Sequence, residues 1–299
     1  GLGRRSAMRT LAISFVVVST AAAVLCMPVV AQDAPVQFTE GNHRDTDPMI
    51  SPDGACLAFA SNRTGNYDIW IYNFKDRAFL QLSRGAKDER YPFFSADSQK
   101  LLFTSNQTGK GDIYETAVDG SAGNLQLTTS ESLEEYASYR PGGTELLYAR
   151  AEKRNMVRKK MAIILTAVPG ASARVLIDDG DEPRFSPDGQ HIVFVSRRTK
   201  NKDIWLTGAA GGPLIQLTTS EKDDENPCFS PDGKSILFAS NRTGNFDLYV
   251  MDADGRNLRQ LTSDAADERQ PCWTPDGNIY YTREMNLLVS NIWRIPAPK

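Results

Sequence analysis

The sequence predicts an all-β fold, a six-bladed β-propeller built from four-stranded antiparallel blades. One stretch of the chain recurs six times at nearly constant spacing, and each end of the repeated region carries a strand that belongs to no complete copy. Four short strands repeated every 40–45 residues or so are typical of a propeller blade. The composition is that of a globular chain, with 40% hydrophobic and 24% charged residues in 299.

The clearest copy covers residues 226–249, NPCFSPDGKSILFASNRTGNFDLY. Its Pro231-Asp232-Gly233 sequence favours a tight turn, because proline presets φ, aspartate caps its own backbone and glycine accepts a positive φ. Strand a opens at Pro227 before this turn, and strands b, c and d follow at residues 236–240, 246–250 and 259–262. Strand b has no polar side, so we expect both of its faces to be buried.

The proline that opens strand a fixes the spacing of the copies, since proline is tolerated at the first residue of a strand. It recurs at Pro48, Pro92, Pro183, Pro227 and Pro271, and Ala137 takes its place in the third copy. The intervals are 44, 45, 46, 44 and 44 residues. Six copies predict six blades.

Both ends of the repeated region predict a closed ring. Gln37-Phe38-Thr39 matches the strand d of other copies, such as Gln260-Leu261-Thr262, but no blade precedes it. Asn291-Ile292-Trp293-Arg294 matches strand c, as in Asp203-Ile204-Trp205, and lacks a following strand d. We therefore expect the N-terminal strand to join the last blade, which removes the exposed sheet edges that promote aggregation.

Residues 1–31 have the character of a secretory signal peptide. Three arginines precede an apolar run from Leu11 to Ala31, which ends in small residues. An uncleaved membrane anchor is the alternative, since the run approaches the roughly 20 residues that span a bilayer. A lipoprotein attached through Cys26 is disfavoured, because Leu25 stands where a small residue is needed. We expect residues 1–31 to be removed after export, and residues 32–299 to form the propeller.

The net charge of the chain bears on the class of its partner. Loss of residues 1–31 would remove three arginines and no acid, which moves the formal net charge from −3 to −6. This excess of acid does not favour nucleic acid as a partner.

After removal of residues 1–31, three cysteines would remain, Cys56, Cys228 and Cys272. The last two occupy the same position in neighbouring strands a, so we expect buried thiols that point the same way round the ring.

Strand direction places the loops on two faces. The b–c turns and the d–a connectors share one, which we call the upper face; the a–b and c–d turns share the other, the lower face. The d–a connectors are acidic in every copy and lead into the innermost strands, so they should surround the mouth of the central channel. The mouth residues that we predict to bind a partner are Asp45, Asp47, Glu89, Arg90, Glu134, Glu135, Asp181, Glu182, Asp224, Glu225, Glu268 and Arg269.

Clustered carboxylates need a counter-charge where they are enclosed. Two like charges about 6 Å apart repel by roughly 3 kcal/mol at an effective dielectric constant near 20. The counter-charge has three alternative sources. Arg63, Arg198 and Arg242 of the b–c turns, with Arg90 and Arg269, could pair internally as a structural lattice. Ca²⁺ could bind the oxygen-rich ring, although the acids lack a dedicated loop spacing. A basic partner segment could dock over the mouth.

The repeated acids and the two histidines do not predict a catalytic centre. An aspartate recurs inside the Pro-Asp-Gly type of turn at Asp53, Asp97, Asp188, Asp232 and Asp276, where it acts as a cap. His43 and His191 should lie on opposite faces, which excludes a multi-histidine metal centre and disfavours a histidine-based triad. We assign no catalytic residue and no metal ligand.

The third copy departs from the others. Residues 150–160, RAEKRNMVRKK, stand where the other copies carry an Asn-Arg-Thr-Gly turn. Packing alone does not require such a basic segment. We predict that Lys153, Arg154, Arg158, Lys159 and Lys160 form a second recognition element on the upper face.

The repeated motifs resemble those of the TolB family of WD-repeat-like propellers. The motifs are Ser-Pro-Asp-Gly, Phe-x-Ser-Asn-Arg-x-Gly-Asn, Asp-Ile-Trp or Asp-Leu-Tyr, and Gln-Leu-Thr, and the resemblance covers about residues 36–296. It implies a six-bladed propeller of the bacterial periplasm that works without catalysis, as a binding platform of the Tol-Pal envelope system. The family carries an α/β domain before the propeller. Only Gln32 to Pro35 separate the expected cleavage site from the first strand, so we expect that domain to be missing.

Two functions follow from this reasoning. The first is an exported, non-catalytic platform that binds a protein, such as a peptidoglycan-associated lipoprotein, through the upper face. The alternative is a periplasmic enzyme or ligand-binding propeller that acts on glycans or peptides, with Ca²⁺ at the channel mouth. Related propellers occur in prolyl oligopeptidase relatives and in oligogalacturonate lyases, which are metal enzymes. This chain has no Gly-x-Ser-x-Gly nucleophile elbow and only two histidines, so we favour the platform without a cofactor.

Overall fold

The fold is the predicted six-bladed β-propeller. The computed structural model describes residues 34–151, 160–167 and 173–298. These residues form six four-stranded antiparallel sheets, one for each predicted copy. Within the same ranges, no helix is long and apolar enough to cross a membrane.

Each blade contributes strands a to d in chain order, and blade 6 takes its strand d from the start of the chain. Strand β1 comprises Val36–Gln37. Blades 1 and 2 contain β2 (Asp45–Ile50), β3 (Cys56–Ser61), β4 (Asp68–Asn73), β5 (Ala78–Gln81), β6 (Glu89–Phe94), β7 (Lys100–Ser105), β8 (Asp112–Ala117) and β9 (Leu125–Gln126). Blades 3 and 4 contain β10 (Glu134–Tyr139), β11 (Glu145–Ala151), β12 (Met161–Ala167), β13 (Arg174–Ile177), β14 (Asp181–Phe185), β15 (His191–Ser196), β16 (Asp203–Gly208) and β17 (Ile215–Gln216). Blades 5 and 6 contain β18 (Asp224–Phe229), β19 (Ser235–Ser240), β20 (Asp247–Asp252), β21 (Arg259–Gln260), β22 (Asp267–Trp273), β23 (Asn278–Asn286) and β24 (Val289–Pro296).

The core lies between the blades. Every residue of the strand b in blade 1 is buried, as its lack of a polar side predicts. Ala58 and Ile69 of blade 1 pack against Leu101 and Phe103 of blade 2. Comparable apolar clusters join other neighbouring blades. Because the sheets bury their faces against each other, the axis of the ring is left for a channel.

The predicted closure is confirmed. Strand β1 pairs with β24, with Val36 opposite Arg294 and Gln37 opposite Trp293. The Thr39 hydroxyl accepts a hydrogen bond from the Ile292 amide at 2.9 Å. The same bond joins strand c to the second residue after strand d in blades formed by continuous chain, for example Ile69 to Ser83 at 2.7 Å and Leu248 to Thr262 at 2.9 Å. The closing blade therefore repeats the construction of the others.

The two sets of repeated aspartates hold turns. In the a–b turns the carboxylate accepts bonds from its own segment, as when Asp232 Oδ1 accepts from the Ser230 hydroxyl at 2.6 Å and from the Lys234 amide at 3.1 Å. These bonds lower the pKa of Asp232. At the start of strand c, Asp247 accepts from the Thr243 hydroxyl of the b–c turn at 2.8 Å. The capping role that the sequence predicts for the aspartates of the a–b turns is confirmed.

Candidate functional site: the channel and the upper face

The b–c turns and the d–a connectors lie on one face, as predicted. The amide of Asn241 in a b–c turn donates to the carbonyl of Asp223 in a connector at 3.2 Å. Asn245 reaches the next connector and donates to the carbonyls of Asp264 and Ala266 at 2.8 Å each. These bonds bind the b–c turn of blade 5 to the connectors on both sides.

Each strand a carries a β-bulge at the same place, where the register with strand b shifts. The residue at the bulge, just before the marker position of the repeat, has a left-handed backbone with φ between 51° and 59°. These six residues, which we call the bulge ring, are Asp47, Tyr91, Tyr136, Glu182, Asn226 and Gln270. Bulges re-aim side chains, and all six line the axial cavity.

The bulge ring is joined by polar contacts on one half and by an aromatic contact on the other. Asn226 Nδ2 donates to Glu182 Oε2 at 2.9 Å, and the Gln270 amide donates to Asn226 Oδ1 at 3.2 Å. Gln270 Nε2 in turn donates to Asp47. On the other side of the axis the rings of Tyr91 and Tyr136 pack at a tilt of 32°, with centroids 4.1 Å apart. The ring thus links neighbouring blades from the inside.

Glu182 and Glu225 share one lysine. Lys202 Nζ lies 3.1 Å from Glu182 Oε1 and 2.8 Å from Glu225 Oε2. Arg269 also pairs with Glu225. Burial alone lowers the pKa of Lys202, but the two carboxylates raise it above its ordinary value. A basic partner would have to displace Lys202 or Arg269 to reach these two acids.

Five of the predicted mouth residues stand at the beginning of the strand a segment and lie behind the mouth, with 0–1% of their surface exposed. They are Asp45, Glu89, Glu134, Asp224 and Glu268. Arg63 Nη2 lies 3.0 Å from Asp45, and Arg242 Nη2 lies 3.0 Å from Asp224. These are the internal pairs of the lattice alternative.

The remaining predicted residues are placed as follows. Arg90 lies over the Tyr67 ring, 3.5 Å from its centroid, and 4.0 Å from Asp47. Asp181 accepts a bond from the Glu182 amide at 2.9 Å, and Glu135 is half-buried. Lys160 is exposed. The other four basic residues of the blade 3 segment, Lys153, Arg154, Arg158 and Lys159, lie outside the described residues, as does the leader.

The interface between blades 5 and 6 contains two buried acids whose pKa values are raised. Burial raises the pKa of Asp247 to about 6 and that of Glu268 to about 7. Asp264 and Asp267 add negative charge there, while Arg283 lies 3.0 Å from Asp264 and 3.9 Å from Glu268. The folded protein therefore binds more protons than the unfolded chain at mildly acidic pH.

Stability is accordingly expected to fall as the pH rises from about 5 to about 8. Both raised pKa values favour the folded state when the carboxyls are protonated, and this contribution is lost as the pH passes through about 6 and about 7. We expect a decrease on the order of 2 kcal/mol in the free energy of unfolding, measured by urea denaturation. The Glu268→Gln variant should flatten the profile, and an unchanged slope in that variant would contradict this assignment.

A feature that the repeat pattern does not predict is an exposed apolar hairpin tip, which rises from the upper face. Strands β23 and β24 extend beyond the length of their counterparts, and the turn between them exposes 87% of Leu287 and 78% of Leu288. Met285 is 51% exposed. Arg44 steadies the tip, with a bond from Nη1 to the Leu287 carbonyl at 3.3 Å and an ion pair to Glu284 at 3.2 Å.

Exposed acids also lie on the upper face, in the connectors of several blades. Glu40 and Glu221 are exposed in the d–a connectors, and 67% of the Glu131 side chain is exposed beside Lys110. They lie further from the axis than the acids named from the sequence. The accessible negative charge of the upper face is therefore on its outer connectors.

The channel itself is a cavity of about 380 Å³. It runs from the bulge ring to the prolines of the a–b turns, such as Pro52 and Pro231, and its wall is mostly apolar. Cys228 and Cys272 line it, each turned toward the next blade: the Cys228 thiol donates to the Pro271 carbonyl at 3.3 Å, and Cys272 Sγ accepts from the Ile50 amide at 3.3 Å. Burial raises the pKa of Cys228 to about 12 and that of Cys272 to about 11, so both are neutral thiols at pH 7.

Among the residues that the structure describes, no group of three or more His, Cys, Asp or Glu side chains has an arrangement that could hold a metal ion. His43 stands in a connector, with Nε2 3.3 Å from Asp45. His191 begins strand b of blade 4, beside the a–b turn on the lower face. The two histidines are on opposite faces, as predicted.

Comparison with known proteins identifies relatives of the whole propeller. The family profile described as TolB beta propeller domain matches residues 10–182 and 178–288. TolB from Acinetobacter baumannii is 23% identical, with a TM-score of 0.68, over 79% of this chain and 58% of that one. A putative TolB from Agrobacterium tumefaciens is 19% identical, also with a TM-score of 0.68, over 87% of this chain and 93% of that one.

A curated relative is named as an enzyme. The uncharacterized peptidase YuxL of Bacillus subtilis is 26% identical over 176 residues, which are 56% of this chain. The match spans only 24% of the length of that protein. The similarity therefore concerns one segment of the larger relative.

Proposed function

Because the chain belongs to the TolB beta propeller domain family, we propose that it is an exported, non-catalytic propeller that binds a protein partner in the bacterial envelope through its upper face. The observation that carries the proposal is the hairpin tip, with Leu287 and Leu288 exposed by 87% and 78%. Adjacent exposed leucines held on a braced hairpin are suited to burial against another protein, since exposed apolar patches with a polar rim mark protein–protein interaction sites.

Exposed acids elsewhere on the upper face supply polar contacts for the same partner. Glu40, Glu131 and Glu221 give the outer connectors an accessible acidic character, which favours a partner surface with basic residues next to an apolar pocket. The paired acids at the axis serve the structure of the ring. The partner is thus expected to contact the outer connectors and the hairpin first, and a peptidoglycan-associated lipoprotein remains the predicted partner.

The alternative of a peptidase or glycan-acting enzyme draws support from the name of the relative YuxL. A thiol nucleophile would need to be ionised near neutral pH. The raised pKa values of Cys228 and Cys272 work against that role. The binding platform is therefore the better supported proposal.

Replacing both Leu287 and Leu288 with aspartate tests the platform proposal. We expect the double variant to lose at least about tenfold in affinity for its partner, because two buried anchors become charges. Both side chains are exposed, so the free energy of unfolding should change by less than about 0.5 kcal/mol. The measurement is capture from an envelope extract with stepwise salt elution, followed by titration of the captured protein.

The matched control carries Leu125→Asp and Ile215→Asp, two apolar residues that are 57% and 53% exposed on the outer strands d. This variant should retain the partner at the affinity of the unchanged protein. Equal retention by the hairpin variant would exclude the upper-face hairpin as the binding site.

A further inference from the structure

We propose that the axial channel binds a small carboxylate with an apolar body, and that Arg184 recognises the carboxylate. This site is separate from the upper-face surface and does not depend on the protein-binding proposal. It rests on the position of Arg184, on the contacts of its guanidinium and on the shape and lining of the cavity.

The repeat does not require a charge where Arg184 stands. Arg184 follows the marker residue of strand a, and the same position holds Met49, Phe93, Cys228 and Cys272 in four other blades. All four of these residues line the cavity with Arg184. One blade therefore places a cation at a repeat position that is uncharged in every other blade.

The contacts of the guanidinium include carbonyls and an aromatic ring, and no carboxylate pairs with it directly among the described residues. Arg184 Nη1 donates to the carbonyls of Tyr136 and Pro183 at 3.2 and 3.0 Å. Its guanidinium carbon lies 5.4 Å from the centre of the Phe93 ring. Among the described residues, no carboxylate lies within ion-pair distance of it, and the nearby Glu182 is bound to Lys202 and Asn226. Burial lowers the pKa of Arg184, which means that the site would gain from a bound anion.

The cavity has the size and access of a ligand site. Its volume of about 380 Å³ falls in the range of roughly 300–1,000 Å³ that small-molecule sites occupy. Pro52, Pro187, Pro231 and Pro275 line its lower end and are exposed to solvent. A small molecule can therefore enter from the lower face without moving the bulge ring.

The chemistry of the ligand follows from the charge of Arg184 and from the charges of the bulge ring above it. A guanidinium presents a planar pair of donors that matches a carboxylate, and the apolar wall around it suits a hydrocarbon or aromatic body. Asp47 and Glu182 of the bulge ring stand above this level. A second negative charge would approach these acids, so a monocarboxylate is favoured over a dicarboxylate or a phosphate.

The test compares 3-phenylpropionate with its uncharged amide, 3-phenylpropanamide, on the unchanged protein by isothermal titration calorimetry. We expect the carboxylate to bind at least about tenfold more tightly, because charge-assisted hydrogen bonds are worth more than neutral ones. Equal affinities, or no binding of the carboxylate, would overturn the proposal.

Variants of Arg184 test whether its guanidinium recognises the carboxylate of the ligand. Arg184→Met introduces the residue that blade 1 carries at the same position, Met49, so the fold should accept it. This variant should bind the acid and the amide equally, whereas Arg184→Lys should retain part of the preference for the acid. A preference that persists at full strength in Arg184→Met would assign recognition to another group and reject the site. Should Arg184→Met fail to fold, Arg184→Lys decides the point by a reduced preference.

Discussion

Replacing Arg242 with methionine is expected to destabilise the propeller by about 3–5 kcal/mol, the largest effect of any single substitution considered. Arg242 Nη2 reaches both oxygens of Asp224, at 3.0 and 3.1 Å, and Asp224 is 0% exposed. Arg242 Nε also donates to the Ser240 hydroxyl at 2.8 Å, and the guanidinium lies over the Tyr249 ring at 4.6 Å. Removal of the cation leaves a buried carboxylate without its partner. The measurement is the free energy of unfolding in urea.

Two further variants establish the cause. Arg197→Met removes a neighbouring upper-face arginine that is 56% exposed and 3.9 Å from Asp223, and it should lower the stability by less than about 1 kcal/mol. Combining Arg242→Met with Asp224→Leu removes both charges, and much of the lost stability should return. If the double variant is as unstable as the single one, the unpaired carboxylate is not the reason for the loss.

Replacing Phe38 and Thr39 together with alanine is expected to lower the stability by about 4 kcal/mol. Phe38 packs edge-on against Tyr72 of blade 1 and Tyr280 of blade 6, with ring centroids 5.1 and 5.4 Å apart. The Thr39 hydroxyl accepts the buried Ile292 amide at 2.9 Å. The double variant removes the packing and the hydrogen bond that join the two ends of the chain. Urea denaturation measures the effect.

The equivalent pair inside a continuous blade provides the control. Leu217 and Thr218 occupy the same positions in blade 4, where the Thr218 hydroxyl accepts the Ile204 amide at 2.9 Å. Alanine at both should produce a similar loss. In contrast, Val36→Ala, at a residue that is 51% exposed, should change the stability by less than about 0.5 kcal/mol. A negligible effect at Phe38 and Thr39, together with a large one in blade 4, would show that closure of the ring contributes little.

The fold could be predicted from the sequence because the blade motif occurs six times. Most copies carry similar turn residues, and Asp232 makes the capping bonds that its position implies. The closure followed from the two incomplete copies at the ends. Local turn chemistry and repeat spacing were therefore sufficient for the architecture.

The site was harder to predict, for two physical reasons. The bulge ring places residues such as Glu182 and Gln270 in left-handed backbone, although a residue before proline is normally extended. The sequence also does not show which of the connector acids are buried. Asp45 and Asp224 stand in segments that lead to the channel mouth, yet their side chains are enclosed by arginines.

The hairpin tip and the channel arginine were missed because each occurs in one blade only. A prediction from the repeat depends on the residues that the copies have in common. The exposed Leu287 and Leu288 and the isolated Arg184 are deviations from the repeat, and a comparison of equivalent positions across the copies could have found both. In this propeller the common positions build the ring, and the exceptions mark the surfaces that we propose to be functional.

The most direct test of the upper-face proposal is site-specific photo-crosslinking in the native cells. A benzoylphenylalanine at position 287, on the upper-face hairpin, is compared with one at position 119, in an exposed c–d turn of the lower face. We predict a crosslinked product of one discrete mass from position 287 and none from position 119. Crosslinking from position 119 alone, or from neither position, would contradict a partner-binding upper face.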